Sequence, residues 1–122
     1  MNRIELLRQW KSEIDSYTLR LAAAVESPDS DFAPQPGMMS FSRLVYHLAE
    51  CELELDQDIV RGLSLSHRPS ELEFDSDVII NTKRLKEVFD YSDTLIRGLS
   101  EEDLEGVIEF PDRCNLILSS YI

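Results

Sequence analysis

Four side chains on one stretch of sequence have the types and spacing that metal chemistry uses: His47, Cys51, Glu54 and Asp58. Their successive steps of 4, 3 and 4 residues set them along one edge of a helix. Neutral imidazole and thiolate suit zinc or nickel, and a carboxylate can add a third donor. One helix cannot enclose an ion, because its side chains line up beside the metal while the donors must surround it. Completing a site therefore needs donors from elsewhere, and the sequence holds one other histidine, His67. The same position also suits a half-buried histidine hydrogen-bonded to a neighbour on the first or third helix. Cys51 reads as a small apolar group at the edge of the core rather than a reactive thiol. Cys114 is expected to be exposed, with no disulfide between the two.

The acids Glu50, Glu52, Glu54, Asp56 and Asp58 invite comparison with a di-iron helix. Such bundles use Glu-x-x-His pairs on separate helices, whereas His47 to Glu50 runs the opposite way. These carboxylates are therefore expected to form a solvated face. No phosphate-cradling Gly loop, Gly-x-Ser-x-Gly elbow or His-Glu-x-x-His helix occurs.

The elements that would position these groups are helices. Leu7, Trp10, Ile14, Tyr17, Leu21 and Ala24 recur at helical spacing and predict a first helix over about 3–26, ended by Ser27-Pro28. Pro28, Pro34, Pro36 and Gly37 mark 27–39 as an ordered loop. Ser40 caps a second helix, about 40–63, with a main apolar stripe of Phe41, Leu44, Leu48, Leu55 and Ile59. A second stripe, Tyr46, Ala49, Leu53 and Val60, lies elsewhere on its circumference, so the helix buries two faces. A third helix, about 76–98, is capped by Asp75 or Ser76 and buries Val78, Thr82, Leu85, Phe89, Ile96 and Leu99. A short turn at Ser100, an extended piece at 106–110 and the start of a fourth helix over 112–122 complete the expected map. Trp10, Leu44, Leu48, Leu85 and Phe89 are expected in the core. The link of about twelve residues at 64–75 reaches at most ~40 Å, enough to run back along a helix of about 34 Å. The second and third helices can therefore lie parallel.

At 122 residues the chain suits one domain, 1–122, with one core. Twelve Lys and Arg against 24 Asp and Glu give a net charge of −12, which argues against binding phosphate backbones or anionic bilayers. A charged start, Arg3 and Glu5, and no long apolar run predict a cytoplasmic protein without signal peptide or membrane span.

The segment Met39-Ser40-Phe41-Ser42-Arg43-Leu44-Val45-Tyr46-His47-Leu48-Ala49-Glu50, preceded by Pro36-Gly37, resembles the DinB superfamily. In that pattern a Pro/Gly loop leads into a capped helix, and a His-Leu/Ile-Ala step follows the cap by about one or two turns. Asn81 to Leu104 looks like the family's third helix and following turn. The resemblance implies an all-α, DinB-like four-helix bundle with three long helices and an incomplete fourth. It implies His47 as one ligand of a divalent metal, zinc or nickel. It also implies two histidines four residues apart on the fourth helix, and the sequence to Ile122 contains no such pair.

Two expectations about function follow. One is a DinB-like bundle of undetermined activity, with an incomplete metal site and no catalysis by the chain itself. The other is a metal-dependent enzyme resembling the superfamily's thiol transferases, its remaining ligands coming from a further C-terminal segment or a second subunit. Because the second stripe of the second helix exceeds what one core absorbs, a homodimer through Tyr46, Leu53 and Val60 is expected. The loop carrying Phe32, Met38 and Met39 is the alternative cover for that stripe.

Overall fold

A computed structural model describes residues 2–62, 72–105, 107–108 and 116–117, with side-chain surroundings for 2–57 and 72–104. Three helices carry the architecture: α1 Arg3–Ala23, α2 Phe41–Gly62 and α3 Val78–Arg97. The described residues are all-α apart from two strands of two residues each, β1 Val107–Ile108 and β2 Leu116–Ile117, paired antiparallel with β1 against α2.

Each helix begins where a side chain can satisfy its orphan amides. Asn2 and Glu5 form a reciprocal capping box at α1, with Asn2 Oδ1 accepting from the Glu5 amide at 2.9 Å. Ser40 Oγ accepts from the Arg43 amide at 3.2 Å, as the sequence predicts. At α3 the cap is Asp77, not Asp75 or Ser76: its carboxylate accepts from the Ile79 amide, while Asp75 accepts from the Asp77 amide. The loop before α2 holds a turn of Ser27–Asp29 with Pro28 inside its first turn, where a missing N–H costs nothing. It then turns at Gln35-Pro36-Gly37-Met38, with Gly37 at φ 86°, the left-handed geometry a type II turn needs at its third residue.

The pairing of residues along the helices fixes the topology. Ser42 meets Asn81 near the starts of α2 and α3, and Asp56 meets Ser92 fourteen and eleven residues further on. These two helices therefore run parallel, the arrangement that the long link permits. Arg8 pairs with Asp93 and Ser27 with Asp77, so α1 runs antiparallel to α3. Both α1 and α2 pack on α3, leaving α1 and α2 as the less closely packed pair.

The core is built from Ala22, Val45, Ala49, Leu53, Val78, Leu85, Val88 and Phe89, with Leu19, Val25 and Phe41 packed at its margin. Leu85 and Phe89 are buried as the sequence predicts. Trp10, Leu44 and Leu48 are not: Trp10 is 58% exposed, and of the expected α1 stripe Trp10, Ile14, Tyr17, Leu21 and Ala24 face outward while Leu7 is half-buried. On α2 the main stripe is divided, with Leu44 and Leu48 exposed while Phe41 packs at the core margin. Ala49 and Leu53 are core residues and Tyr46 packs edge-on to Phe74, which corrects their assignment to an intermolecular face. Val60 and Ile59 lie outside the described side chains. The expected fourth helix is also corrected where it can be seen, because Leu116–Ile117 is a strand. The remainder of 112–122 lies outside the described residues.

A polar clasp ties the starts of α2 and α3 together. Asn81 Nδ2 donates to Ser42 Oγ at 2.8 Å and to the Asp75 carbonyl at 2.7 Å, and its Oδ1 accepts from the Asp75 amide. Ser30 Oγ receives the first amide of α3, from Val78, at 2.9 Å. Asn81 is buried, so Asn81→Leu strands the Asp75 amide and takes a donor from the Ser42 hydroxyl and from the Asp75 carbonyl, which keep only their bond to each other. The expected loss is about 3 kcal/mol of unfolding free energy, read from the urea midpoint. A loss under half a kilocalorie would show that solvent reaches the clasp.

Candidate functional site

His47 projects from the outer side of α2, about 160° around from Ala49 at 100° per residue. Its side chain is half exposed, with Nδ1 3.9 Å from Glu50 Oε1 and Nε2 3.5 Å from Cys51 Sγ. The spacing argument thus brings His47 and Cys51 together. A hydrogen bond from His47 to α1 or α3 is not formed, since both contacts belong to its own helix. Cys51 is a free, exposed thiol rather than a core residue, because the side of α2 it occupies looks away from α3. Glu54 is exposed, and Asp58, His67 and Cys114 lie outside the described side chains. Among the described residues no three His, Cys, Asp or Glu side chains are grouped to hold a metal ion.

A different set of polar groups lies inside the bundle. Lys11 of α1 contacts Asp15 at 2.6 Å and reaches across to Glu52 of α2 at 2.5 Å, with its ammonium 4.8 Å from the centre of the Phe89 ring. Below this ion pair Asp56 is 1% exposed and bonded to Ser92 Oγ, which is also 3.1 Å from the Val88 carbonyl. Asp56 and Glu52 correct the reading of the α2 acids as a solvated face. Both lie on the core side of α2, in line with Val45, Ala49 and Leu53.

Electrostatics follow from that burial. Desolvation pushes the Asp56 carboxyl up to about 7, the Ser92 hydrogen bond pulls it down, and the nearby Glu52 charge raises it again. Burial likewise raises Asp15, outweighing its hydrogen bond to Lys11. Burial alone would depress Lys11, but its hydrogen bonds to Asp15 and Glu52 hold its pKa above the usual lysine value. Tyr91 is raised by burial and by the Asp56 charge. By residue type, Asp56 and Ser92 are a base and a hydroxyl with a base poised near neutrality. Neither is open to a substrate, since Ser92 is as fully buried as its partner. The cluster's chemistry is proton uptake by the fold itself.

Lys11 and Asp15 also border a groove of about 550 Å³ between α1 and α3, lined in addition by Leu19 and Phe89. Each of its cations is paired: Arg8 with Asp93, Lys86 with Asp90, and Lys11 with Asp15. Two hydrogen bonds from Arg8, burial working against them and a third contact from Arg97 hold Asp93 below the usual carboxylate range.

Among the described residues several large apolar side chains are also exposed. Trp10, Ile14, Tyr17 and Leu21 line α1 on the flank turned away from α3, and Leu44 and Leu48 line the neighbouring flank of α2. The Lys11–Glu52 bridge shows that these flanks border one opening, the corner of the bundle opposite α3. Phe32, its ring tilted against Phe41 at 5.2 Å between centroids, is also exposed near the start of α2.

Periodicity alone missed Lys11, Asp15, Glu52, Asp56 and Ser92. A usable signal was present: Lys11 lies seven residues after Ile4 and eleven before Ala22, on the same face as both. No family model matches the chain, and no curated protein matches it. No helix among the described residues is long and apolar enough to cross a membrane.

Proposed function

We propose that this chain is a DinB-like helical bundle that is non-catalytic by itself and works through assembly. The observation that carries the reading is the open corner between α1 and α2, where six large apolar side chains stand exposed along two helices. Soluble proteins seldom leave a contiguous apolar patch of more than a few hundred Å² uncovered unless it binds something. The polar groups with enzymatic potential do not offer a competing site. Asp56 and Ser92 are sealed in the interior, and every cation of the α1–α3 groove is paired with a carboxylate. His47 has Cys51 beside it, which gives two donors on an exposed helix face, fewer than a stable zinc or nickel centre requires.

The test is metal retention. Purified protein loaded with Zn²⁺ or Ni²⁺ and dialysed extensively should retain far less than one equivalent, with His47→Ala unchanged in structure and nearly unchanged in metal content. One equivalent retained by the parent and lost in His47→Ala overturns the non-catalytic reading. That result favours the metal-dependent, thiol-transferring alternative, with Cys51 or a second subunit supplying the missing donors.

A further inference from the structure

We infer that the occupant of the open corner is a second copy of this chain, joined through the α1–α2 face about a two-fold axis. The inference rests on the assembly reading and names its partner. Three features support it.

The first is area. At roughly half exposure each, Trp10, Ile14, Tyr17, Leu21, Leu44 and Leu48 leave on the order of 600 Å² open. A stable interface of standard size covers about 800 Å² per partner, so the patch supplies most of one, and it stands at the upper end of the roughly 300–600 Å² that a monomer's largest apolar patch occupies.

The second is direction. Since α1 and α2 both pack on α3, one antiparallel and one parallel, they run antiparallel to each other. A two-fold axis parallel to the bundle preserves helix direction, so it lays α1 of each copy antiparallel on α2 of the other. The same face thus serves both partners and the pairing closes on itself. The result is a central four-helix layer of two α1 and two α2 helices, flanked by the two α3 helices. The third is composition. The six stripe positions carry no charge, so pairing the copies sets no like charges of this acidic chain directly opposite one another. The Lys11–Glu52 ion pair beneath them is already complete within each copy.

The interface therefore uses the flank of α2 that carries Leu44 and Leu48, while the face with Ala49 and Leu53 stays in each copy's own core. Sedimentation equilibrium of the full chain at tens of micromolar should give twice the 14.1 kDa chain mass. Ile14→Glu, at a position 65% exposed in the single chain, should weaken association at least about 100-fold with helix content unchanged. Leu48→Glu should do the same, whereas Ile79→Glu, an exposed apolar position on α3, should leave the dimer intact. A monomer destabilised by Ile14→Glu overturns the inference in favour of a cover from within the chain. A monomer indifferent to it overturns the inference in favour of an unrelated partner. A dimer that survives both Ile14→Glu and Leu48→Glu places the interface elsewhere. A monomer leaves the non-catalytic reading standing, whereas tightly held metal lost in His47→Ala removes that reading whatever the oligomeric state.

Discussion

Replacing Asp56 by asparagine should stabilise the folded chain at pH 8 by up to about 4 kcal/mol and leave its stability near pH 4 unchanged. The sign follows from linkage. An aspartate at its model value of 3.8 in the unfolded chain and at about 7 in the folded chain binds its proton more tightly when folded. Below pH ~4 both states are protonated and the group costs nothing. As pH rises from about 4 to 7 the unfolded state sheds the proton first, so stability falls, and above about 7 the loss is complete. Each pKa unit is worth about 1.4 kcal/mol, and the shift is roughly three units. Asp15, also raised, adds a loss of the same sign, so the parent-minus-variant difference is the quantity to follow.

The hydrogen-bond pattern agrees with a neutral side chain at this position. A protonated Asp56 can donate to Ser92 Oγ, which frees the Ser92 hydrogen for the Val88 carbonyl at 3.1 Å. An asparagine amide donates in the same direction and has nearly the same shape. Urea denaturation of parent and Asp56→Asn at half-unit steps between pH 4 and 8 resolves the prediction. Parallel curves, or a variant less stable at pH 8, would mean that Asp56 is charged and well solvated at neutrality.

The helices were legible in the sequence because their signals are local. Asn2 with Glu5, and Ser40, each act within three or four residues of themselves, so the starts of α1 and α2 fall close to those expected. By contrast, α1 stops at Ala23, before the Ser27-Pro28 step expected to end it, and Pro28 opens the next turn instead. Even the parallel course of α2 and α3 could be read as a possibility from the length of the link. The faces were much less legible. The most apolar stripe of a helix is ordinarily its buried one, and on α1 that rule selects Trp10, Ile14, Tyr17 and Leu21, all of them exposed. What turns α1 the other way is pairing over distance. Arg8 finds Asp93 and Lys11 finds Glu52, partners 85 and 41 residues away that no periodicity reports. The same cause hides Asp56, which reads as one more acid in a charged helix until Ser92 is placed opposite it. His47 was legible by type and spacing alone. Its neighbour Cys51 is where helical geometry puts it, but the side of α2 that carries them could be settled only once α3 was known to lie opposite.

Lys11→Met should destabilise the chain by about 3–5 kcal/mol at pH 7, the second large effect expected. Lys11 is the cation that stands between Asp15 and Glu52, and all three side chains are mostly withdrawn from solvent. Methionine keeps the length of the chain and its contact with the Phe89 ring, so the loss reports the charge rather than a cavity. Two carboxylates are then left facing each other in a poorly solvated site, which costs more than the ion pair contributed when complete. The penalty should shrink on acidification, because protonating the carboxylates removes the repulsion. It should also shrink if the acids are neutralised by substitution. The triple variant Lys11→Met, Asp15→Asn, Glu52→Gln should recover most of the loss, as buried ion pairs replaced in full by neutral groups commonly do. A third readout separates electrostatics from packing. The Lys11 charge lowers the Asp56 pKa, so Lys11→Met should move the Asp56-dependent fall in stability to higher pH. If the single variant costs less than 1 kcal/mol, or if the loss persists undiminished in the triple variant and at pH 4, the buried cluster is not held together by its charges.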